Sequence, residues 1–145
     1  VRAVVQRVSR ARVSVDGEQV AAIEEPGLVV LLGVTHADGE EQVRWMARKL
    51  AEVRILRGER SAADAQAPVL LVSQFTLYAD LRKGRRPSWN GAAPAPVAAP
   101  VVEAVAEALR ERGLRVAGGR FGADMAVELV NDGPVTLILD SDTKG

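Results

Sequence analysis

Over the first fifteen residues apolar and polar positions alternate with a period of two. Val1, Ala3, Val5 and, past Ser9, Ala11, Val13 and Val15 fall on one face of an extended strand. Arg7 falls on that same face. A guanidinium there needs carbonyl or carboxylate acceptors, unless a bulge shifts the register and turns it to solvent. Asp16-Gly17 tolerates the positive φ of a tight turn, so Arg2–Val15 and Gln19–Ile23 are expected to form a hairpin. Gly27–Val34 is an unbroken apolar run, the pattern of a strand covered on both faces.

Helical periodicity starts after Asp38. Val43, Met46, Ala47, Leu50 and Val53 recur at three- and four-residue intervals, and Asp38 with Glu41 has the spacing of a capping box. A helix from about Gly39 to Glu52 is predicted. Val53–Leu56 reads as a short strand and Arg57–Gln66 as loop. Pro68 opens another buried strand, Val69–Val72, which runs straight into Ser73-Gln74. Pro94, Pro96 and Pro100 punctuate an alanine-rich stretch. Val101, Val105, Ala108 and Leu109 then mark one face of a second helix that ends before Gly113, with the prolines fitting only near its first turns. Leu114–Val116, Met125–Val130 and Val135–Leu139 complete the strands. Hairpin-paired strands with two main helices predict one α/β domain over residues 1–145, its sheet largely antiparallel, without the regular alternation of a doubly wound fold.

Composition narrows the chemistry more than the fold. Aromatics are 3% of the 145 residues, so the core is built from Val, Leu, Ala and Ile. Lys plus Arg and Asp plus Glu each number 19, so net charge argues for neither a nucleic-acid nor a membrane partner. The cations are nevertheless clustered: Arg2, Arg7, Arg10 and Arg12 in the first strand, and Arg82, Lys83, Arg85 and Arg86 ahead of Pro87-Ser88-Trp89. The second cluster is either a solvated loop or a phosphate-binding track. No apolar run approaches the roughly 20 residues of a membrane helix, and a cytoplasmic location is expected. With no cysteine, thiol catalysis and zinc-thiolate sites are excluded. His36 is the only histidine and reads as a solvated loop residue, and the aspartates are scattered, so neither a metal nor a cofactor is expected.

Hydroxyls, an amide and backbone N–H groups remain. Ser73, Gln74 and Thr76 sit where a strand ends, and with the Phe75 and Thr76 amides they present donors suited to a developing oxyanion. Such a site stabilises charge but generates no nucleophile. By spacing alone, Ser73 and Thr76 equally suit the satisfaction of backbone groups at a strand end, and Gly133-Pro134 suits an ordinary turn. A non-catalytic RNA-binding module using Arg82 to Trp89, or a structural dimer module, also fits these features.

Together the motifs change this balance. Arg2-Ala3-Val4-Val5-Gln6-Arg7-Val8, the Gly27–Val34 run, Ser73-Gln74-Phe75-Thr76-Leu77, Arg86-Pro87-Ser88, Phe121-Gly122-Ala123-Asp124-Met125 and Asn131-Asp132-Gly133-Pro134-Val135-Thr136 stand in order along nearly the whole chain. In this the sequence closely resembles the D-aminoacyl-tRNA deacylases, also called D-tyrosyl-tRNA deacylases. The resemblance implies a sheet rolled into a partial barrel and a homodimer acting on the 3′-terminal adenosine end of aminoacyl-tRNA, without a cofactor. It implies a catalytic set of Ser73, Gln74, Phe75 and Thr76, and substrate binding by Gly133, Pro134, Arg7, Met125, Phe121 and Thr136.

In that family a Gly-cisPro segment enters the partner's site. Its carbonyls take the substrate's α-amino group and leave no room for an L side chain, so D-aminoacyl and glycyl esters are admitted. The residue matching Arg7 braces that segment. Thr76 matches a proposed nucleophile, but nothing in the sequence supplies it with a base, and water assisted by the ribose 2′-hydroxyl is the preferred attacker. One departure is visible: Gly58–Pro68 lacks the Gly-Lys-Met-Asn-like segment of many family members.

Overall fold

The sheet is assembled on β1 (Arg2–Val15), in a computed structural model that describes residues 1–143. One edge of β1 pairs antiparallel with β3 (Gly27–Gly33) over Arg2–Val8 and then with β2 (Glu18–Ile23) over Ala11–Val15. The other edge pairs antiparallel with β6 (Ala126–Asp140) along nearly its full length. The first hairpin forms as the sequence indicates, with Asp16 and Gly17 at φ of 51° and 81°.

Beyond β3 the sheet changes sense. β3 pairs parallel with β4 (Val69–Ser73), and β4 pairs parallel with β5 (Val116–Gly118). The sheet is therefore largely antiparallel around β1, as expected, but mixed, and the cause of its parallel part is local. Val53–Leu56 forms no strand; only an isolated bridge joins Leu56 to Arg60. Without that strand, α1 (Glu40–Glu52) and α3 (Ala95–Glu111) each carry the chain across to a parallel neighbour, as a βαβ connection requires. A third helix, α2 (Ala62–Ala65), occupies the stretch read as loop, started by Ser61, whose hydroxyl accepts the Asp64 N–H at 3.0 Å.

Other boundaries also differ from the sequence pattern. Asp38 does not cap α1. Gly39 is the N-cap and its N–H donates to Gln42 Oε1 at 2.8 Å, while Asp38 Oδ2 accepts the Thr35 N–H at 2.8 Å. The fifth strand begins at Val116, since Leu114 is taken by the turn that follows α3, its N–H bonded to Leu109 O. Pro100 lies in the second turn of α3, where the N–H it lacks would have met the carbonyl of Pro96. The two segments read as separate strands, Met125–Val130 and Val135–Leu139, are one strand with an interruption.

The alternation along β1 is broken between Val8 and Ala11, where the register against β6 shifts. Val1, Ala3 and Val5 face the outer core, with Leu28, Val30 and Leu32 of β3, Met46 and Leu50 of α1, and Val105 and Leu109 of α3. Val8, Ala11 and Val13 point the opposite way, into a second core with Val29, Leu70 and Val72. Ala117 and Val127 pack against this inner core, so all six strands contribute to it and the sheet is a nearly closed barrel. Val1 and Val13 thus lie on opposite faces, because an extra residue in a bulge inverts every position after it. Arg7 precedes the bulge and keeps to the outer face.

Arg2 ties the ends of this scaffold to the 3-10 turn Phe75–Tyr78 that follows β4. Its Nε donates to Asp140 Oδ2 at 2.8 Å, its Nη1 donates to Leu77 O at 2.6 Å, and its guanidinium lies 4.5 Å from the Tyr78 ring centroid. Burial pushes the Asp140 carboxyl up. The hydrogen bond and charge of Arg2, with the Asp142 N–H, outweigh burial and leave it below the usual carboxylate range. A depressed carboxylate stabilises the fold above its unfolded pKa of about 3.9, and that stabilisation disappears as pH falls through the folded value. Arg2→Met is therefore expected to cost about 1–3 kcal/mol at pH 7. In urea unfolding the gap to the unsubstituted protein narrows below about pH 4; a gap constant down to pH 2 contradicts the assignment.

Candidate active site

β4 stops where its polar residues begin. Gln74 N–H still donates to Leu32 O at 2.8 Å, which holds the chain against β3 one residue past the strand. The 3-10 turn comes next, with Leu77 N–H to Gln74 O at 3.2 Å and Ala79 N–H to Thr76 O at 3.1 Å. The Phe75 and Thr76 N–H groups precede the first bond of this turn, so it supplies them no acceptor. Gly33 allows the turn to sit this close to β3: a Cβ there would lie 3.0 Å from both Gln74 O and Leu77 Cβ.

A cleft of about 590 Å³ opens on this turn. Ser73, Gln74, Phe75, Phe121 and Met125 all line it, so five of the residues singled out in the sequence converge. Thr76 is half-buried beside them, its Oγ1 accepting a 2.5 Å hydrogen bond from Gln74 Nε2. An amide is no proton acceptor near neutral pH whichever way it is turned, so Gln74 does not activate Thr76 as a nucleophile. His36 is not among the lining residues; its Nε2 donates to Asn90 O at 2.6 Å. Among the described residues no group of three or more His, Cys, Asp or Glu side chains is placed to hold a metal ion. Among them, too, no helix is long and apolar enough to cross a membrane.

The remaining wall was not legible in the sequence. Ala93 just before α3, and Ala98 and Val102 in its N-terminal half, line the cleft with small apolar side chains. Alanine carries no chemical signature, so only the packing of α3 reveals it. Trp89 reads in the sequence as the end of a basic cluster. In the structure it is also a cleft residue, packed edge-on against Phe75 with ring centroids 5.2 Å apart.

Arg7, Gly133, Pro134 and Thr136 do not join this cleft within one chain. They form a second cluster where β6 is interrupted. The pairing steps from Gln6 with Thr136 to Val8 with Asn131, so Asp132-Gly133-Pro134-Val135 lies opposite Arg7 alone. Arg7 stays on the apolar face rather than turning to solvent, and the carbonyls it needs are there. Its Nε donates to Asp132 O at 2.8 Å and its Nη1 to Ile55 O at 3.0 Å.

Asn131 closes the loop from the other side. Its Oδ1 accepts the Val135 N–H at 3.2 Å and its Nδ2 donates to Thr136 Oγ1 at 2.9 Å, which gives the Asn-x-Gly-Pro-x-Thr spacing a physical reason. Arg57 adds a brace absent from the sequence reading, with Nη2 to Asp132 Oδ1 at 2.8 Å and Nε to Oδ2 at 3.2 Å. Those bonds hold the Asp132 carboxyl below its usual range. Arg57, just ahead of the altered Gly58–Pro68 stretch, thus meets the Gly-Pro loop, and no residue of that stretch lines the 590 Å³ cleft.

The Gly133–Pro134 peptide is cis, and both residues are exposed. Gly133 has φ of 134°, and a Cβ there would lie 2.6 Å from Arg7 Nη2, so the position is suited to glycine on both counts.

Similarity to known proteins agrees with the motifs. The model of the D-Tyr-tRNA(Tyr) deacylase family matches residues 4–140. The chain is 72% identical to the D-aminoacyl-tRNA deacylase of Kineococcus radiotolerans and 65% identical to that of Beutenbergia cavernae, over 97% of this chain and 99% of each relative. Among solved structures it superposes on the c-Myc DNA Unwinding Element Binding Protein with a TM-score of 0.89 at 40% identity, over 97% of this chain and 99% of that one. A probable eukaryotic D-amino acid tRNA deacylase shares the fold, with a TM-score of 0.83 at 17% identity over 95% and 97% of the two chains. A match from residue 4 to residue 140, with relatives of high identity over almost their entire length, places this chain in the D-Tyr-tRNA(Tyr) deacylase family.

Proposed function

We propose that the protein hydrolyses the ester joining a D-amino acid to the terminal ribose of tRNA, and glycyl esters as well, while rejecting L-aminoacyl-tRNA. The observation that carries this is the pairing of chemistry in the cleft: an amide and two uncommitted backbone N–H groups beside an apolar wall, with no histidine among the lining residues and the Thr76 hydroxyl bonded to an amide rather than to a base. A site of this kind serves a substrate that brings its own assistance. In aminoacyl-tRNA the 2′-hydroxyl of the terminal adenosine is adjacent to the scissile ester and helps water attack. The Phe75 N–H and the Gln74 amide face the oxygen on which charge develops, and Ser73 and Thr76 orient the ester. Phe121 and Met125 hold the adenosine end, with Thr136 maintaining the shape of the Gly-Pro loop.

Chiral selection comes from the second cluster. The working unit is a homodimer in which the partner subunit's Gly133 and Pro134 enter the cleft, their carbonyls binding the substrate's α-amino group. Support lies in β6, where Ile138 is 67% and Val130 43% exposed on either side of the Gly-Pro loop, large apolar side chains that a second copy would cover. With the amino group fixed there, an L side chain collides with the backbone, while hydrogen or a D side chain projects to free space. The site of action is where tRNA is charged, the cytoplasm.

The direct assay compares release of tyrosine from D-Tyr-tRNA and L-Tyr-tRNA, with Gly-tRNA as a third substrate. Rapid release from the first and third, against background from the second, is expected; equal release from both enantiomers refutes chiral exclusion. Thr76→Ala is expected to keep the rate within about tenfold, because its hydroxyl orients rather than attacks, whereas loss of a nucleophile costs about 10⁴-fold or more. Gly133→Ala drives a methyl into the Arg7 guanidinium. It should lower kcat/KM for D-Tyr-tRNA by about 10²-fold with the fold intact by circular dichroism; unaltered kinetics would remove this segment from the site.

A further inference from the structure

The basic cluster between the 3-10 turn and α3 has no part in the chemistry above, yet its geometry is specific. Asp80 and Ser88 exchange backbone hydrogen bonds of 2.8 and 2.9 Å and so close a loop, residues 81–87, that is exposed throughout. Its cations are unequal. Arg82 is neutralised by Asp80, with Nε to Oδ1 at 2.9 Å and Nη2 to Oδ2 at 2.7 Å. Lys83, Arg85 and Arg86 have no ion-pair partner among the described residues. Three uncompensated cations on one short loop repel each other and favour a polyanion.

The loop leads directly into the cleft. Trp89 succeeds it, lines the cleft and packs on Phe75, and these are two of the most exposed aromatic rings of the chain, at 42% and 57%. The backbone after Trp89 is locked in place: Thr35 Oγ1 donates to Gly91 O at 2.6 Å and Ala93 N–H to Val34 O at 2.9 Å. Rigidly held aromatic faces beside unpaired cations are the combination that binds single-stranded nucleic acid, bases stacking on rings and phosphates meeting charges.

We infer that Lys83, Arg85, Arg86 and the Trp89–Phe75 pair form a docking surface for the single-stranded 3′ end of the RNA, cations on its phosphates and a base on the rings, guiding the terminal nucleotide into the cleft. This rests on the deacylase reading of that cleft.

The test replaces Lys83, Arg85 and Arg86 together by Gln, all of them exposed and outside the catalytic set. Binding of uncharged tRNA is measured across a salt series. The variant is expected to bind at least about tenfold more weakly, and the slope of log affinity against log salt should fall by about 2, as three contacts to a single strand imply. Trp89→Ala should weaken binding by about tenfold without changing the slope. In deacylation, KM for D-Tyr-tRNA should rise in the triple variant while kcat holds. Hydrolysis of 3′-D-tyrosyl-adenosine, which has none of the outer phosphates, should be unchanged.

Unchanged affinity and slope would overturn the docking surface, and so would an equal loss on D-tyrosyl-adenosine, which would make the loop a support of the cleft. Because binding is read with uncharged tRNA, a protein that binds with the expected salt slope yet cleaves no D-aminoacyl ester would refute the deacylase reading and leave the docking surface standing.

Discussion

The hydrogen bond from Arg7 to the Asp132 carbonyl is the contact on which the rest of the site depends. Two neighbouring strands ordinarily pair residue for residue, and here β6 places four residues, Asp132 to Val135, opposite one of β1. An excess of that size leaves backbone groups without ladder partners, which is costly unless other donors and acceptors supply them. Arg7 donates to the Asp132 carbonyl and Asn131 accepts the Val135 N–H, while Arg57 holds the Asp132 carboxylate beside them. The Gly-Pro loop is therefore fixed rather than loose, and it is presented on the outer side of the barrel instead of being folded into the core. The selection proposed for this loop, backbone against backbone, requires rigidity, and this brace supplies it.

The cleft obeys the complementary constraint. Strand β4 is buried on both faces until Ser73, and the parallel ladder with β3 holds the backbone in register up to the Gln74 N–H. Gly33 then lets the 3-10 turn lie against the sheet, and Arg2 fixes its far end through Leu77 O. The position of the amides is set by the core, and the cleft's walls by the small residues that begin α3. The Thr76 hydroxyl meets an amide rather than a base, which agrees with a substrate that carries its own hydroxyl next to the bond to be broken. The basic loop leads into the cleft through Trp89, whereas the Gly-Pro loop does not line it within one chain.

Much of this is legible in the sequence, and the failures share a cause. The first hairpin, both main helices, the buried strands and the convergence of Ser73, Gln74, Phe75, Phe121 and Met125 are implied by period, turn residues and motif. Parallel pairing is not, because one short apolar stretch, Val53–Leu56, has the composition of a strand without forming one, and each strand added in error reverses the sense of every later strand. The opposite facing of Val1 and Val13 is hidden because a bulge leaves no mark in composition. Asp38 has the spacing of a cap that Gly39 and Gln42 form instead, since an acidic residue before a helix has more than one donor within reach. Arg57 and the alanines of the cleft wall carry no local signal at all; their roles arise from contacts across about 75 residues in the first case and from smallness in the second.

The proposed working site joins the cleft of one subunit to the Gly-Pro loop of the other. Subunit mixing measures this directly. Gln74→Ala spoils the cleft and Gly133→Ala spoils the loop, and each variant alone is expected to be nearly inactive on D-Tyr-tRNA. If the halves belong to opposite subunits, a mixed dimer holds one site with both halves intact. An equimolar mixture allowed to exchange should then recover about a quarter of full activity, from half of the dimers with one good site each. A mixture no more active than its two components would contradict the account.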